Sequence, residues 1–370
     1  MKLLALAGDI GALIAQVRLV TPLSALCAQQ GWTLTLRSFH DCAHDDIERA
    51  DVLVVQRSSS ARALRMQQRM RRQGGAVLYE IDDLLIDVAP HISIRDVALR
   101  RAAQLLRCMA EADVVTVSTA RLGRELGLQQ PVVVSNHAWP MAAASLPAPQ
   151  PGQPVHLLFA SSDHLATDFI YPAVRALGGV RVVVVGPPAA AFRRAGIEVQ
   201  AQGLMPRDRF VAFARALPNV LAVIPLEDSR FAACKSAVKW FDYAAAGIPV
   251  LCSAVSPYAE VVQDGVTGGL VDNTPLAWQA ALQQAVDDAG WRQRIAASAR
   301  LQVQTHHALR HTVDAWHRAV TTAVQRRAAA VLPTPGVGWH LGQALAGAFD
   351  DAALRLRALN RARLAKRSRR

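Results

Sequence analysis

The sequence lacks any uninterrupted apolar run of the roughly 18 residues that a membrane-spanning helix requires. Its N-terminal apolar run contains one lysine and is broken by Gly8, Asp9 and Gly11. This pattern indicates a buried strand followed by a turn rather than a secretory signal. We therefore expect a cytoplasmic protein.

The five cysteines are scattered, with no C-x-x-C pair and no neighbouring histidine ladder. Neither a disulfide framework nor a zinc site is predicted, and we expect buried free thiols. A G-x-G-x-x-G fingerprint is also missing after the first predicted strand, where the sequence has only Gly8-Asp9-Ile10-Gly11. This absence argues against a nicotinamide cofactor, and no other cofactor is expected.

Positive charge is in excess, but it is concentrated at the C-terminus. The net charge is +12, and the segment 352–370 carries eight basic residues and no acidic one. Without these eight, the net charge of the rest falls to +4. The body of the chain is therefore close to neutral, and no nucleic-acid partner is predicted.

Hydrophobic residues make up 52% of the 370 residues, which indicates folded domains, and the length favours two of them. Short runs rich in Val, Leu and Ile alternate with longer helical patterns, which is typical of βαβ units with parallel sheets. Strands are expected at Leu3–Ala7, Thr33–Arg37, Val52–Gln56, Val77–Glu80, Val114–Val117, Val132–Val134, Val155–Ala160, Val180–Val185, Ile197–Gln200, Val220–Ile224, Val250–Cys252 and Gly269–Val271. Helices are expected near Arg18–Gln30, Ala61–Gln73, Val97–Ala110, Ala120–Leu126, Asp168–Leu177, Asp208–Leu217, Ser236–Ala246, Pro275–Ala289 and Trp291–Ala330.

A segment rich in proline and small residues divides the chain. Four prolines fall between Pro147 and Pro154, where they remove backbone donors and resist helix formation. The predicted fold class is α/β, with two Rossmann-like doubly wound parallel-sheet domains that face a cleft. The predicted boundaries are 1–145 for the first domain, 146–154 for the linker, 155–305 for the second domain, and 306–370 for C-terminal helices and the basic tail.

The segment Lys235–Val271, KSAVKWFDYAAAGIPVLCSAVSPYAEVVQDGVTGGLV, carries several signals in order. A lysine-rich helix start and an acidic residue precede a Gly-x-Pro turn, a strand, Pro-Tyr-x-Glu and Asp-Gly-x-x-Gly. This segment resembles the donor-binding segment of GT-B glycosyltransferases, especially the family 4-like retaining enzymes (glycosyl transferases group 1) of bacterial surface-polysaccharide synthesis. Ala50–Arg57, Val77–Pro90 and Ala112–Leu126 more weakly resemble the acceptor-side domain of the same group.

The resemblance implies a GT-B fold and a sugar transfer reaction. The donor would be a nucleoside-diphosphate sugar, and the acceptor a hydroxyl of a glycan or lipid-linked molecule. The resemblance further implies retention of configuration and a place in lipopolysaccharide, capsule or exopolysaccharide synthesis. A D-x-D pair in the expected metal-binding context is absent, so we predict a metal-independent reaction.

Lys235 and Lys239 are the central candidates on the donor side. They are four residues apart and would share one face of the predicted helix near its N-terminus. Free N–H groups and the positive dipole end suit a diphosphate there, and Ser236 is expected to cap the helix or to bind a phosphate. The resemblance implies that Asp242 accepts hydrogen bonds from the ribose hydroxyls. The other residues expected on this side are Ser161, Ser162, His164, Asp168, Gly186, Pro257, Tyr258 and Glu260, of which His164 joins Lys235, Lys239 and Asp242 as a catalytic candidate.

The sequence departs from the family pattern at one position. Family 4 enzymes carry two glutamates separated by seven residues. Here the second falls on Asp242 and the first on Cys234. Glu227 and Asp228, in the preceding loop, are alternatives in a different register, so the carboxylate that faces the donor sugar stays open.

The acceptor-side candidates follow strands of the first half. Gly8, Asp9 and Gly11 form a loop in which glycine permits close approach of a ligand. The others are Arg57, Asp82, Asp83 and His91. The two aspartates lie at the carboxyl end of a strand, where they meet the acceptor or cap a turn. His91 stands where some GT-B enzymes offer a histidine to the reacting sugar.

Two basic segments suggest an anionic membrane surface as a further partner. Helix 61–72 has five arginines with Leu64, Met66 and Met70 between them, and the tail 352–370 is basic throughout. Each basic residue near such a surface contributes about 1 kcal/mol. We expect peripheral association with the inner face of the cytoplasmic membrane, with a solvated helix and tail as the alternative.

Three other functions stay open. They are a nucleotide-sugar epimerase of GT-B-like fold, a nicotinamide dehydrogenase, and a non-catalytic paralogue that binds polysaccharide or serves in an assembly. The missing glutamate at Cys234 favours the last of these.

Overall fold

Two parallel sheets organise the structure. The computed structural model describes residues 1–140, 146, 150, 152–163 and 168–330. Within these residues, one six-stranded sheet has the order β2-β1-β3-β4-β5-β6, formed by β1 (Lys2–Ala7), β2 (Thr33–Ser38), β3 (Val52–Gln56), β4 (Ala76–Ile81), β5 (Val114–Val117) and β6 (Val132–Val133). The other has the order β12-β11-β10-β7-β8-β9, formed by β7 (Val155–Ala160), β8 (Val180–Val185), β9 (Gln200–Gln202), β10 (Val220–Ile224), β11 (Val250–Ser253) and β12 (Gly269–Val271). The predicted α/β class with two doubly wound sheets is confirmed.

Helices cover both faces of each sheet, which is why the central strands are buried and mostly apolar. All five residues of β3 and of β10 are buried, as expected for parallel strands packed on both sides. A π-helical turn at Gln16–Val20 separates the first two helices. The α-helices of the described residues are α1 (Leu13–Ala15), α2 (Thr21–Gln30), α3 (His44–Glu48), α4 (Ala61–Arg72), α5 (Arg95–Arg100), α6 (Ala102–Ala110), α7 (Ala120–Glu125), α8 (Ile170–Arg175), α9 (Ala189–Arg194), α10 (Arg207–Ala216), α11 (Arg230–Ala233), α12 (Val238–Ala245), α13 (Tyr258–Val261), α14 (Pro275–Asp287), α15 (Ala289–His306) and α16 (Leu309–Ala329).

The last of these helices returns to the first half of the chain. Trp316 of α16 is fully buried, and its indole N–H donates to the carbonyl of Arg18 at 3.0 Å. Val313 and Val320 belong to the same apolar cluster as Leu23 of α2. Residues from the end of the described chain therefore complete the core of the first sheet.

Several predicted elements differ from the observed ones, and the helix expected near Val97–Ala110 is the pair α5 and α6. The strand expected at Ile197–Gln200 lies at Gln200–Gln202, because Ile197 packs into the core from the loop after α9. The helix expected over Trp291–Ala330 is two helices. Between them, the carbonyl of His307 accepts a hydrogen bond from the Ala138 amide at 2.8 Å. The helix expected at Ser236–Ala246 begins at Val238.

Helix 61–72, which was predicted to contact a membrane, is α4, and several of its side chains have partners within the protein. Met66 and Met70 are buried in the core of the first half. Arg62 donates to the carbonyl of Cys42 at 2.8 Å, and Arg69 pairs with Glu48. The apolar residues thus face inward and some of the arginines are already paired, while the tail 352–370 lies outside the described residues. Among the described helices, none has the length and hydropathy needed to cross a bilayer.

Candidate functional site

The carboxyl ends of the two sheets face one another, and side chains from the two halves meet there. Each contact joins a residue after a strand of the first sheet to a residue after a strand of the second. Examples are Asp83 with Lys235 at 3.7 Å, Asn136 with Ser236 at 2.6 Å, and His91 with Glu227 at 3.2 Å. The predicted cleft between the halves is therefore lined by several residues that the sequence singled out.

Lys239 lies in the first turn of α12 and points to the end of β7. Its ammonium group donates to the carbonyl of Ala160 at 2.9 Å. Burial, reinforced by the charge of Lys235, lowers the pKa of Lys239 to about 8. A cation that has lost part of its hydration and has a like charge nearby is stabilised by an incoming anion.

Lys235 supplies the second positive charge from the turn between α11 and α12. Its ammonium group lies 4.5 Å from the centroid of the Phe231 ring and 3.7 Å from a carboxylate oxygen of Asp83. The sequence-based prediction placed both lysines on one helix, but α12 begins three residues after Lys235, with Ala237 at its N-cap position. Ser236 is therefore not the N-cap, and its hydroxyl instead accepts from the side chain of Asn136.

The pKa of Lys239 predicts how anion binding depends on pH. Binding of a nucleoside diphosphate requires the protonated ammonium, so the dissociation constant should be flat below pH 8. Above pH 8, it should rise by up to about tenfold per pH unit. Titration calorimetry between pH 7 and 9.5 measures this. Lys239→Arg should abolish the rise because a guanidinium stays charged, and an equal rise in both proteins would contradict the assignment.

Asp242 lies on α12, the helix predicted for it, and its carboxylate has partners within the protein. Its carboxylate accepts from the Arg207 guanidinium at 2.8 Å and from the backbone N–H of Trp139 at 2.9 Å. Arg207 also donates to the carbonyl of His137 at 2.7 Å. Asp242 is 8% exposed. These contacts connect α12 with α10 and with the segment after β6.

This arrangement predicts that Asp242 acts mainly on stability. Asp242→Asn should lower the free energy of unfolding by about 1.5–3 kcal/mol, because a charged acceptor is lost opposite a buried guanidinium. Nucleotide affinity of the folded protein should change less than threefold. Denaturant unfolding and calorimetry measure the two quantities. Unchanged stability with a large loss of affinity would restore the ribose role.

The loop after β7 is shaped by a close backbone approach. Gly186 has φ +97°, and a Cβ at this position would lie 2.1 Å from the carbonyl oxygen of Ser161. Only glycine therefore fits beside the start of this loop. Ser161 accepts through its hydroxyl from the backbone N–H of Asp163 at 3.3 Å, and Ser162 is exposed. His164 lies outside the described residues.

The Pro-Tyr-x-Glu segment contributes mainly packing. Pro257 is buried, and Tyr258 is a member of the apolar core of the second half, with only 4% of its surface exposed. Burial raises the pKa of Tyr258 well above its usual value. Glu260 is exposed and accepts from the Ser256 hydroxyl at 2.6 Å. Tyr258 therefore does not line the cleft.

On the acceptor side, Arg57 forms ion pairs with two carboxylates. It has a left-handed backbone (φ 51°), and its guanidinium lies 3.1 Å from both Asp82 and Asp83. Burial raises the pKa of Asp82 to about 7, against the lowering effect of Arg57. Burial would also raise the pKa of Asp83, but Lys235 and Arg57 outweigh it and hold that pKa below its usual range. Asp83 thus forms ion pairs both with Arg57 and with Lys235 of the other half.

The glycine loop after β1 is an exposed turn. The carboxylate of Asp9 accepts from the backbone N–H of Gly11 at 2.8 Å, and Gly8 and Gly11 are both exposed. Asp168, at the far end of the loop after β7, is also exposed.

Sequence reasoning missed several residues at the meeting point of the two halves. Asn136 and Asp163 were not among the predicted residues. Asp163 accepts from the Ser93 amide and hydroxyl, both at 3.2 Å. One unused signal was composition. Of the 41 basic residues only four are lysines, and two of those are Lys235 and Lys239. In a chain that uses arginine almost everywhere, two neighbouring lysines mark a position where a compact ammonium matters.

The chain is similar to known proteins in part of its sequence and in its fold. Residues 167–318 match a protein family described as glycosyl transferase-like. Sucrose-phosphate synthase from Thermosynechococcus elongatus has a similar structure, with a TM-score of 0.63 and 16% identity over 89% of this chain and 100% of that one. HepE from Anabaena, solved with UDP-glucose, gives a TM-score of 0.58 and 14% identity over 87% of this chain and 100% of that one. The chain has the GT-B fold, and its segment 167–318 is similar to the glycosyl transferase-like family.

A curated sequence relative is similar over a shorter stretch. The GT-B chain is 39% identical over 79 residues to a D-inositol 3-phosphate glycosyltransferase from Nocardioides sp.. That match covers 20% of this chain and 17% of the relative. The structural neighbours, at 16% identity or less, establish the fold of the GT-B chain.

Within the part of the chain that the structure describes, no three His, Cys, Asp or Glu side chains come close enough together to hold a metal ion.

Proposed function

We propose that this GT-B chain is a glycosyltransferase that moves a sugar from a nucleoside diphosphate to a hydroxyl of a glycan or lipid-linked acceptor. The observation that carries the proposal is the pair of lysines at the junction of the two sheets. Lys239 is tied to the end of β7 and Lys235 faces Asp83 of the other half. Two ammonium groups in a partly desolvated cleft stabilise the negative charge that develops on a departing diphosphate.

We also propose the donor class, the stereochemical course and the pathway of this transfer. A neighbouring structure holds UDP-glucose, which supports a nucleotide-sugar donor. We propose retention of configuration, a metal-independent reaction and a place in surface-polysaccharide synthesis, all of which derive from the resemblance of Lys235–Val271 to the family 4-like enzymes. Peripheral contact with an anionic membrane through the tail 352–370 belongs to the same proposal.

The test is product analysis with a panel of nucleotide sugars. The protein is incubated with UDP-, GDP- and dTDP-hexoses and with lipid-linked or glycan acceptors, and mass spectrometry follows both substrates. The proposal expects acceptor-dependent release of a nucleoside diphosphate and an acceptor heavier by one sugar. Conversion of the donor without acceptor would identify an epimerase. Nucleotide binding with neither transfer nor hydrolysis would identify a non-catalytic paralogue.

A further inference from the structure

A sugar donor presents hydroxyl groups, and a carboxylate of the second half would be a strong hydrogen-bond acceptor for them. Position 234, where the sequence pattern of related enzymes has a glutamate, does not provide it. Cys234 is fully buried and packs with Phe231 in the apolar core of the first half. Burial raises the pKa of its thiol to about 11, and its carbonyl accepts from the Thr119 hydroxyl at 3.2 Å.

Other carboxylates of the second half near the cleft have different partners. Asp242 is held by Arg207 and the Trp139 amide. Asp163 accepts from both the amide and the hydroxyl of Ser93. Each of these carboxylates is committed to donors within the protein.

Glu227 differs because one of its oxygens is fixed and the other faces the opposite half. One carboxylate oxygen accepts from the Ser229 hydroxyl at 2.8 Å. The other lies 3.2 Å from Nδ1 of His91, and both side chains are partly exposed, Glu227 by 19% and His91 by 29%. A partly exposed contact of this kind is one that a sugar hydroxyl can replace.

The backbone beside Glu227 is also held in place. The N–H of Leu226 donates to the hydroxyl of Ser253, and its carbonyl accepts from the side chain of Asn273, both at 2.8 Å. Ser253 is fully buried. These contacts fix the loop after β10 against the ends of β11 and β12, so that the carboxylate is positioned before any ligand arrives.

Sheet topology brings this carboxylate to the same edge as the phosphate-binding candidates. β10 pairs with β7 on one side and with β11 on the other. Glu227 follows β10, and the carbonyl that holds Lys239 is at the end of β7. A diphosphate at the lysines would therefore leave its attached sugar to lie along the neighbouring strand ends.

We propose that Glu227 binds hydroxyl groups of the transferred sugar, which replace its contact with His91. This inference rests on the proposed function. It makes Glu227 a residue that determines affinity for the sugar but not for the nucleotide.

The experiment compares the affinities of UDP and UDP-glucose, and of GDP and GDP-mannose, for the wild type and for Glu227→Gln. Titration calorimetry gives the ratio of the nucleotide and nucleotide-sugar dissociation constants for each protein. We expect Glu227→Gln to reduce this ratio about tenfold, because a charged acceptor becomes a neutral one, while the affinity for the nucleotide alone stays within twofold. Glu198→Gln, a matched substitution of an exposed glutamate in the same half, should behave as the wild type.

The outcomes separate this inference from the function on which it rests. If the wild type binds none of the nucleotides, the proposed function fails. If the wild type binds a nucleotide but the ratio is unchanged in Glu227→Gln, or is close to one in the wild type, only the role of Glu227 fails. Melting temperatures of both variants within about 2 °C of the wild type show that they remain folded, since a change of 1 kcal/mol moves a domain of this size by about 2–4 °C.

Discussion

Replacement of Lys239 by alanine is expected to lower sugar transfer by about 10²–10³-fold, the range seen when one group that stabilises transition-state charge is removed. The reason is the position of its ammonium group, 2.9 Å from the carbonyl of Ala160 at the end of β7. There it faces the cleft with little water to screen it. Transfer assays at saturating donor give the turnover number directly.

Two further variants separate charge from packing at this position. Lys239→Met keeps most of the side-chain volume and should be as inactive as the alanine variant, whereas Lys239→Arg keeps the charge and should recover part of the activity. Lys2→Ala, which removes an exposed lysine on β1, should leave transfer unchanged. Near-normal turnover in Lys239→Met would exclude an electrostatic role.

Replacement of Trp316 by alanine is expected to lower the free energy of unfolding by about 3–5 kcal/mol, the usual cost of truncating a buried tryptophan. Trp316 is fully buried, and its indole N–H donates to the Arg18 carbonyl. That carbonyl would lose its donor, and a cavity would open between α16 and α2. Val324→Ala in the same helix, where the side chain is 38% exposed, should cost less than about 1 kcal/mol.

Denaturant unfolding followed by fluorescence measures both variants. The loss in Trp316→Ala should appear in the transition of the first half, although residue 316 follows the second half in the sequence. If the transition of the first half did not move, α16 would not be part of its core.

The fold could be predicted from local patterns because most strands are isolated runs of β-branched and aliphatic residues. Val52–Gln56, Val155–Ala160 and Val220–Ile224 are observed with their predicted bounds. Each lies in the interior of a parallel sheet, where both faces are apolar and turn residues mark the ends. The position of α16 was not predictable in this way. Its contact with Arg18 spans 298 residues, and periodicity does not show which core an amphipathic helix joins.

The site was predictable only in part, for a similar reason. The lysines were selected from their spacing and from the pattern of Lys235–Val271, but the start of α12 was placed too early. No Ser, Thr, Asp or Asn side chain caps it, so the sequence gives no clear boundary. The partner of Asp242 is Arg207, 35 residues away, and the partner of Glu227 is His91 in the other half. Such pairs depend on how strand ends come together, which sequence spacing does not specify.

The most direct test of this account is the affinity of nucleoside diphosphates for the wild type and for a Lys235→Ala/Lys239→Ala double variant. Titration calorimetry at pH 7 with UDP, GDP and dTDP should show one-to-one binding of at least one nucleotide to the wild type. In the double variant, that affinity should fall by at least about 100-fold, because two charge-assisted contacts of about 1.5–3 kcal/mol each are lost. Equal affinity in both proteins, or no binding to the wild type, would contradict the placement of a diphosphate between the two sheets.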